Sequence, residues 1–222
     1  MDRESPDTGQ EDPESPAGSF VTTEHFVLAG ARASTIGEST GRANMFLASL
    51  SGGLVALGLV ATASSLGAAF YGFGLVLLPT LTFVGFVTFE RTLQTSIEDT
   101  EYARRIALLR SYYFEHAPQI DRYLLRDTSA ERLHTGTGRI SGRMFGDRWQ
   151  GYLTVAGMVA VLTAVLAGST AALAAILIFD HSLAATVIAG TVVAVPVMVA
   201  LIRHEESAWQ EAAAQTLELG GE

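Results

Sequence analysis

The chain has 222 residues, a formal net charge of −9 from 14 Lys+Arg (all of them Arg) against 23 Asp+Glu, and a mean hydropathy of +0.31. Only 17% of its residues are charged, against about a quarter in an ordinary soluble domain, so the composition points to a membrane protein. The lack of Cys excludes disulfides, thiolate zinc sites and cysteine nucleophiles, and the lack of Lys excludes a Schiff-base lysine and a phosphate-loop lysine.

Residues 1–20 are mostly Asp, Glu, Pro, Ser and Gly. They are expected to form a disordered acidic tail, and they show no signal-peptide pattern. Residues 21–43 are expected to form a cytoplasmic amphipathic helix, centred on Thr23–Arg42, that runs into the first span. Residues 43–89 then hold no Asp, Glu, Lys, Arg or His. At 1.5 Å per residue a bilayer core of ~30 Å takes about 20 residues, so this stretch is too long for one helix and right for two. It divides at Ser64-Ser65-Leu66-Gly67, giving spans Asn44–Ser65 and Ala68–Phe89 and a hairpin over 44–89.

Residues 90–150 are expected to be a cytoplasmic helical linker. Glu90–Ala117 reads as a helix continuing from span two and stopped by Pro118. Tyr102, Ile106, Leu109 and Tyr113 share one face, Leu93 and Ile97 point roughly the other way, and Glu101 with Arg105 forms a favourable i,i+4 pair. The tyrosine-bearing face either self-associates as a stalk or packs on the chain's own Thr22–Arg42 segment or C-terminal helix. A short helix near Asp121–Leu125 and a cap at Thr128-Ser129-Ala130-Glu131 follow. Residues 149–179 and 182–202 are again free of Asp, Glu, Lys, Arg and His. They give spans Tyr152–Phe179 and Leu183–Ile202 and a second hairpin over 151–202, with Trp149 and Tyr152 as interface anchors. Residues 203–222 are expected to form a cytoplasmic C-terminal helix. The fold class is therefore an all-α membrane protein with four transmembrane helices in two hairpins and a helical cytoplasmic region between helices two and three.

Arginine sets the orientation. Ten Arg lie in the 90–150 link, Arg42 precedes span one and Arg203 follows span four, while the two short turns carry none. Basic residues near membrane ends stay in the cytoplasm, so both termini and the link are expected inside, in a bacterial inner membrane.

Lipid offers no hydrophobic reward for helix pairing, so close approach of small residues drives it. Ala156, Ala160, Ala164, Gly168 and Ala172 form a stripe at four-residue spacing on span three. Gly52 and Ala56 mark a packing face on span one, with Gly53 and Gly58 nearby. Span two carries Gly72, Gly74 and Gly85, and span four Gly190 and Ala194. These faces can pack within one chain or between chains. Pro79 and Pro196 are expected to kink spans two and four.

No Asp, Glu, Arg or His lies inside a span, which argues against a proton-coupled carrier or a charge-lined filter. Residues 132–148 hold four Arg among four Gly; Arg132, Arg139, Arg143 and Arg148 are candidate contacts for anionic lipid or phosphate. The run lacks a nucleotide-loop GK[ST], and a flexible juxtamembrane connector is the plainer reading. The link's ten Arg face nine acids, so no basic surface for nucleic acid is expected. Adjacent residues on a helix do not face one another, so His204, Glu205 and Glu206 are not read as a metal site. No catalytic residue, cofactor or metal is expected. The expected partners are membrane lipids and, in a homo-oligomer, further copies of the chain.

The run Asp99-Thr100-Glu101-Tyr102-Ala103-Arg104-Arg105-Ile106, with Arg110-Ser111-Tyr112-Tyr113 and Gly37-Glu38-Ser39-Thr40-Gly41-Arg42, resembles a group of uncharacterised integral membrane proteins of GC-rich, actinobacterial-type bacteria. The resemblance covers roughly residues 25–120 and implies topology alone. The layout of helix, two spans and helix also looks like the SLATT-type membrane effectors linked to bacterial nucleotide-signalling defence, from which the second pair of spans departs. The expected function is a structural or interaction component that self-associates through small-residue faces, not an enzyme. The alternative is a pore-forming effector or small transport component. A membrane enzyme would need Arg139 or Arg143 on a phosphorylated substrate.

Overall fold

The computed structural model describes residues 16–116, 154–179 and 182–219. They form four helices: α1 (Pro16–Ala63), α2 (Ala68–His116), α3 (Val155–Ile178) and α4 (Leu183–Leu219). The described residues hold no strand, and all four helices are long and apolar enough to cross a membrane. α1 and α2, with 48 and 49 residues, are each about 70 Å long, more than twice the ~30 Å of a hydrocarbon core.

One boundary differs from the sequence expectation. α1 starts at Pro16, inside the segment assigned to an unordered tail. The tail's acidic residues all precede Pro16, and a proline in the first helical turn already has its φ set and lacks only an N–H that would go unpaired anyway. The break between α1 and α2 falls at the expected turn. Ser65 and Leu66 adopt φ of 48° and 57°. The Leu66 N–H bonds the Ala61 carbonyl at 3.0 Å and the Ser65 N–H bonds that of Thr62 at 3.4 Å, the bond pair that closes a helix through a left-handed residue. At Gly67 a Cβ would lie 2.8 Å from the Ser64 carbonyl oxygen, so the reversal needs glycine there.

Thr154 caps α3, its hydroxyl accepting from the Gly157 N–H at 2.9 Å. Ser182 precedes α4, and its hydroxyl accepts from the Ala185 N–H. Pro79 and Pro196 lie inside α2 and α4, which continue through them.

The helices pack as a row. α1 lies on α2, α2 on α3 and α3 on α4, with slight contact of α1 with α3 and of α2 with α4, and none of α1 with α4 among the described residues. α1 and α2 keep one antiparallel register from end to end: Leu57 meets Gly74, Phe46 meets Gly85, and Arg32 meets Asp99. On α1 the buried or half-buried Leu28, Arg32, Thr35, Ser39, Arg42 and Phe46 recur at steps of four and three. On α2 so do Gly85, Thr88, Thr92, Thr95, Asp99, Tyr102 and Ile106. A 3.5-residue repeat keeps one stripe facing a partner while two helices wind about each other. The core gathers Phe46, Phe89, Leu93 and Val159, all essentially without solvent contact, with Leu81, Ala160 and Leu201 around them.

Candidate functional site

The stripe on α3 is buried inside the chain. Ala156, Ala160, Ala164 and Gly168 are all buried and Ala172 half-buried. At Gly168 a Cβ would stand 2.7 Å from both the Gly190 carbonyl oxygen and the Ala194 Cβ; at Gly190 it would stand 3.3 Å from the Ala172 Cβ. Here α3 and α4 approach backbone to backbone, as small residues permit in a lipid-embedded pair. On α2, Gly74 and Gly85 make room instead for side chains of the neighbouring helices. A Cβ at Gly74 would come within 2.6 Å of a Leu173 methyl, and one at Gly85 would run into the Thr163 hydroxyl and lie 3.0 Å from the Phe46 ring. Gly85 is thus the point where α1, α2 and α3 converge.

On α1 the structure divides two neighbours. Gly53 faces α2, where a Cβ would lie 2.9 Å from Leu81. Gly52 faces outward, is exposed, and a Cβ there meets nothing within 4 Å. Ala56 is half-buried. Gly58 and Gly72 are likewise open.

Among the described residues the buried polar side chains are Thr88, Thr92, Thr95 and Thr163. Each hydroxyl donates to the carbonyl four residues back on its own helix: Thr88 to Val84, Thr92 to Thr88, Thr95 to Arg91, Thr163 to Val159, at 2.7–3.0 Å. This is the usual way a helix satisfies a buried threonine. It leaves these hydroxyls partnered within the helix.

Ion pairs occupy the other ends of the helices. Arg32 Nε donates to Asp99 at 2.8 Å and its Nη2 to the second carboxylate oxygen at 3.4 Å. Glu38 accepts from Arg42 at 2.9 Å and from Arg91 at 3.3 Å; the Arg42 hydrogen bond, with Arg91 behind it, holds its carboxyl below the ordinary carboxylate value. The Glu101–Arg105 pair expected along α2 is present. His204 Nε2 lies 2.9 Å from Glu90, tying α4 to α2. Glu205 beside it is half-buried, and burial, then the neighbouring Glu206, push its carboxyl up. His25 Nδ1 is buried without a hydrogen-bond partner.

The tyrosine-bearing face of α2 lies on α1: Ile106 is buried and Tyr102 and Leu109 half-buried. Leu93, on the other side, is also buried, and Ile97, Ala208 and Trp209 pack against the same core. α2 is therefore covered on two sides beyond the end of α3, and Trp209 packs on protein. No group of three or more His, Cys, Asp and Glu is placed to hold a metal among the described residues. Arg132, Arg139, Arg143, Arg148, Trp149, Tyr152, the 121–125 and 128–131 segments and the Asp180-His181 turn lie outside the described residues.

No protein-family model matches the chain, and no curated protein or solved structure matches it.

Proposed function

We propose that the chain is a multi-pass protein of a bacterial inner membrane, with hairpins 44–89 and 151–202 in lipid and both termini and the 90–150 link in the cytoplasm. In this reading it is a structural or interaction component that self-associates through small-residue helix faces, and it is not an enzyme. Its partners are membrane lipids and further copies of the chain. The carrying observation is the pattern of surface. Every helix turns large apolar side chains outward at membrane level, among them Leu59, Phe73, Phe83, Val165, Ile188 and Val192, each 38–66% exposed. A water-soluble monomer does not leave so much contiguous apolar area uncovered, whereas lipid is a solvent for it. Open glycines on the same surface, Gly52 and Gly58, are where a further helix can approach closely. The arginine distribution supports the orientation.

Reconstitution into liposomes tests the reading. Vesicles that stay tight while the protein cross-links into discrete oligomers support it. Unprovoked or ligand-gated leakage of an entrapped dye favours a pore-forming effector or transport component. A protein that stays in buffer without detergent removes both.

A further inference from the structure

The extensions of α1 and α2 beyond the membrane level treat water differently. Five of the eight exposed residues of α2 over 90–112 are charged, Arg91, Glu98, Glu101, Arg105 and Arg110, beside Gln94, Leu108 and Ser111, the usual outer face of a solvated helix. α1 reverses this. Its Arg32 and Arg42 are turned to Asp99 and Glu38, and outward it shows Phe20, Phe26 and Val27, 73%, 72% and 59% exposed. Glu24 is exposed, and the charges between 26 and 44, Arg32, Glu38 and Arg42, have side chains 41–42% exposed, each already held in an ion pair.

The exposed residues of α1 also carry a second 3.5-residue repeat, on the side away from α2. From Phe20 through Val27, Ser34, Gly41, Ala48 and Val55 to Thr62 the step is seven throughout, with Thr23 between Phe20 and Val27 in a three-four rhythm. Every one of these positions is exposed and uncharged. Alternating with them are Gly30, Gly37, Asn44 and Gly58, also exposed. This is the spacing of a coiled-coil seam, and it runs unbroken from the aqueous end through the membrane level.

We propose that this face of α1 receives the α1 of a second copy, parallel and in register about a two-fold axis along the membrane normal. The inference rests on the self-association reading above and names its surface. Length selects the occupant. From 20 to 62 the face is about 63 Å long, and a strip about 10 Å wide covers roughly 630 Å² per copy, near the ~800 Å² of a standard interface. The part outside the lipid, 20–44, gives only about 360 Å² on the same basis and is too small alone. The occupant must therefore match the face in both water and lipid. A second α1 carries the same face, and sharing one membrane gives it the same direction. The lone Asn44 meets its own copy in that arrangement, as a single polar seam residue does when it fixes register.

The chain has no Cys, so single-cysteine variants of the full protein report contacts without background. Val27→Cys, Ser34→Cys, Gly41→Cys and Ala48→Cys, oxidised in native membranes, are expected to form disulfide dimers at least tenfold more than Glu98→Cys and Arg105→Cys on the outer face of α2. Adding Ser34→Arg to Ala48→Cys is expected to cut its dimer band about tenfold with the helical spectrum unchanged. Dimers that form equally or only at 98 and 105 overturn this face and leave self-association standing. An internal disulfide in Val27→Cys/Leu124→Cys, with the chain monomeric, shows that the link covers the face and overturns the inference. No dimer at any position, together with a single-chain mass in native-membrane particles, removes the self-association reading itself.

Discussion

Glycine to alanine substitutions at Gly168 and Gly72 should move stability in opposite directions. Both residues are inside helices, where alanine is favoured over glycine by about 1 kcal/mol because glycine loses more backbone freedom on ordering. At Gly72 a Cβ meets nothing within 4 Å, so that gain stands alone. At Gly168 the Cβ would stand 2.7 Å from a backbone oxygen, that of Gly190, and 2.7 Å from Ala194. No rotamer of a flexible side chain can relieve this; α4 has to move. Overpacking costs about 1–3 kcal/mol, and with no rotamer to relieve it the upper part of that range, about 2–3 kcal/mol, applies here, leaving Gly168→Ala at a net loss of roughly 1–2 kcal/mol once propensity is credited. The two variants should therefore differ by about 2–3 kcal/mol, a factor of some thirty or more in the folded-to-unfolded ratio. Dodecyl sulfate titration of the protein in mixed micelles, followed by tryptophan emission, measures it, because Trp209 packs on the core. Equal midpoints for Gly168→Ala and Gly72→Ala would refute the close α3–α4 approach.

Three further outcomes follow from the same geometry. Thr92→Val should change stability by less than about 1 kcal/mol, since the Thr92 hydroxyl bonds only the Thr88 carbonyl of its own helix, and that carbonyl keeps its helical N–H partner when the hydroxyl is lost; a loss above 2 kcal/mol in the same titration would show a cross-helix role. In a double-mutant cycle on Arg32→Met and Asp99→Leu, each single change should lose about 1 kcal/mol and the pair should regain part of it, because the ion pair is half-exposed yet bidentate; zero coupling energy would sink this account. Glu205 has its carboxyl raised above the ordinary 4.5 by burial and by Glu206, so the folded state holds that proton more tightly than the unfolded chain. Its contribution is fully present below 4.5 and is lost as pH rises through the raised value. Glu205→Gln should therefore gain on the native protein as pH climbs above 4.5 and run parallel to it below, and a difference independent of pH would count against burial of this carboxyl.

The parts of the fold that could be read in the sequence are those fixed by local composition. Transfer into lipid adds residue by residue, so the uncharged runs 43–89, 149–179 and 182–202 are enough to place four spanning helices. Periodicity likewise exposes the Ala156–Ala172 stripe. What depends on a partner is not written locally. Gly52 and Gly53 are adjacent and chemically the same, yet turn 100° apart around α1, and only the position of Leu81 decides which is covered. Leu93 and Ile97 look misplaced on α2 because the helix that closes over them arrives more than a hundred residues later. The pairs Arg32–Asp99 and Glu90–His204 are invisible for the same reason.

The α1–α2 seam shows how one repeat can serve two solvents. At membrane level it is made of Gly53, Leu57, Gly74, Leu81 and Gly85, where large side chains seat against bare glycine backbone and van der Waals packing is the main attraction. Past Thr88 the same positions become Thr92, Thr95, Asp99, Arg32, Thr35 and Ser39. In water, an apolar seam there would have strengthened the pair. Polar residues weaken it but fix its register, because a one-residue slip would leave Arg32 and Asp99 facing no counter-charge. The lipid-embedded half supplies the packing and the polar half sets the alignment. Since the charges of α1 over 26–44 are held in ion pairs, the seven-residue repeat on the side away from α2 is left uncharged, and a helix with that face in water is incomplete without a neighbour.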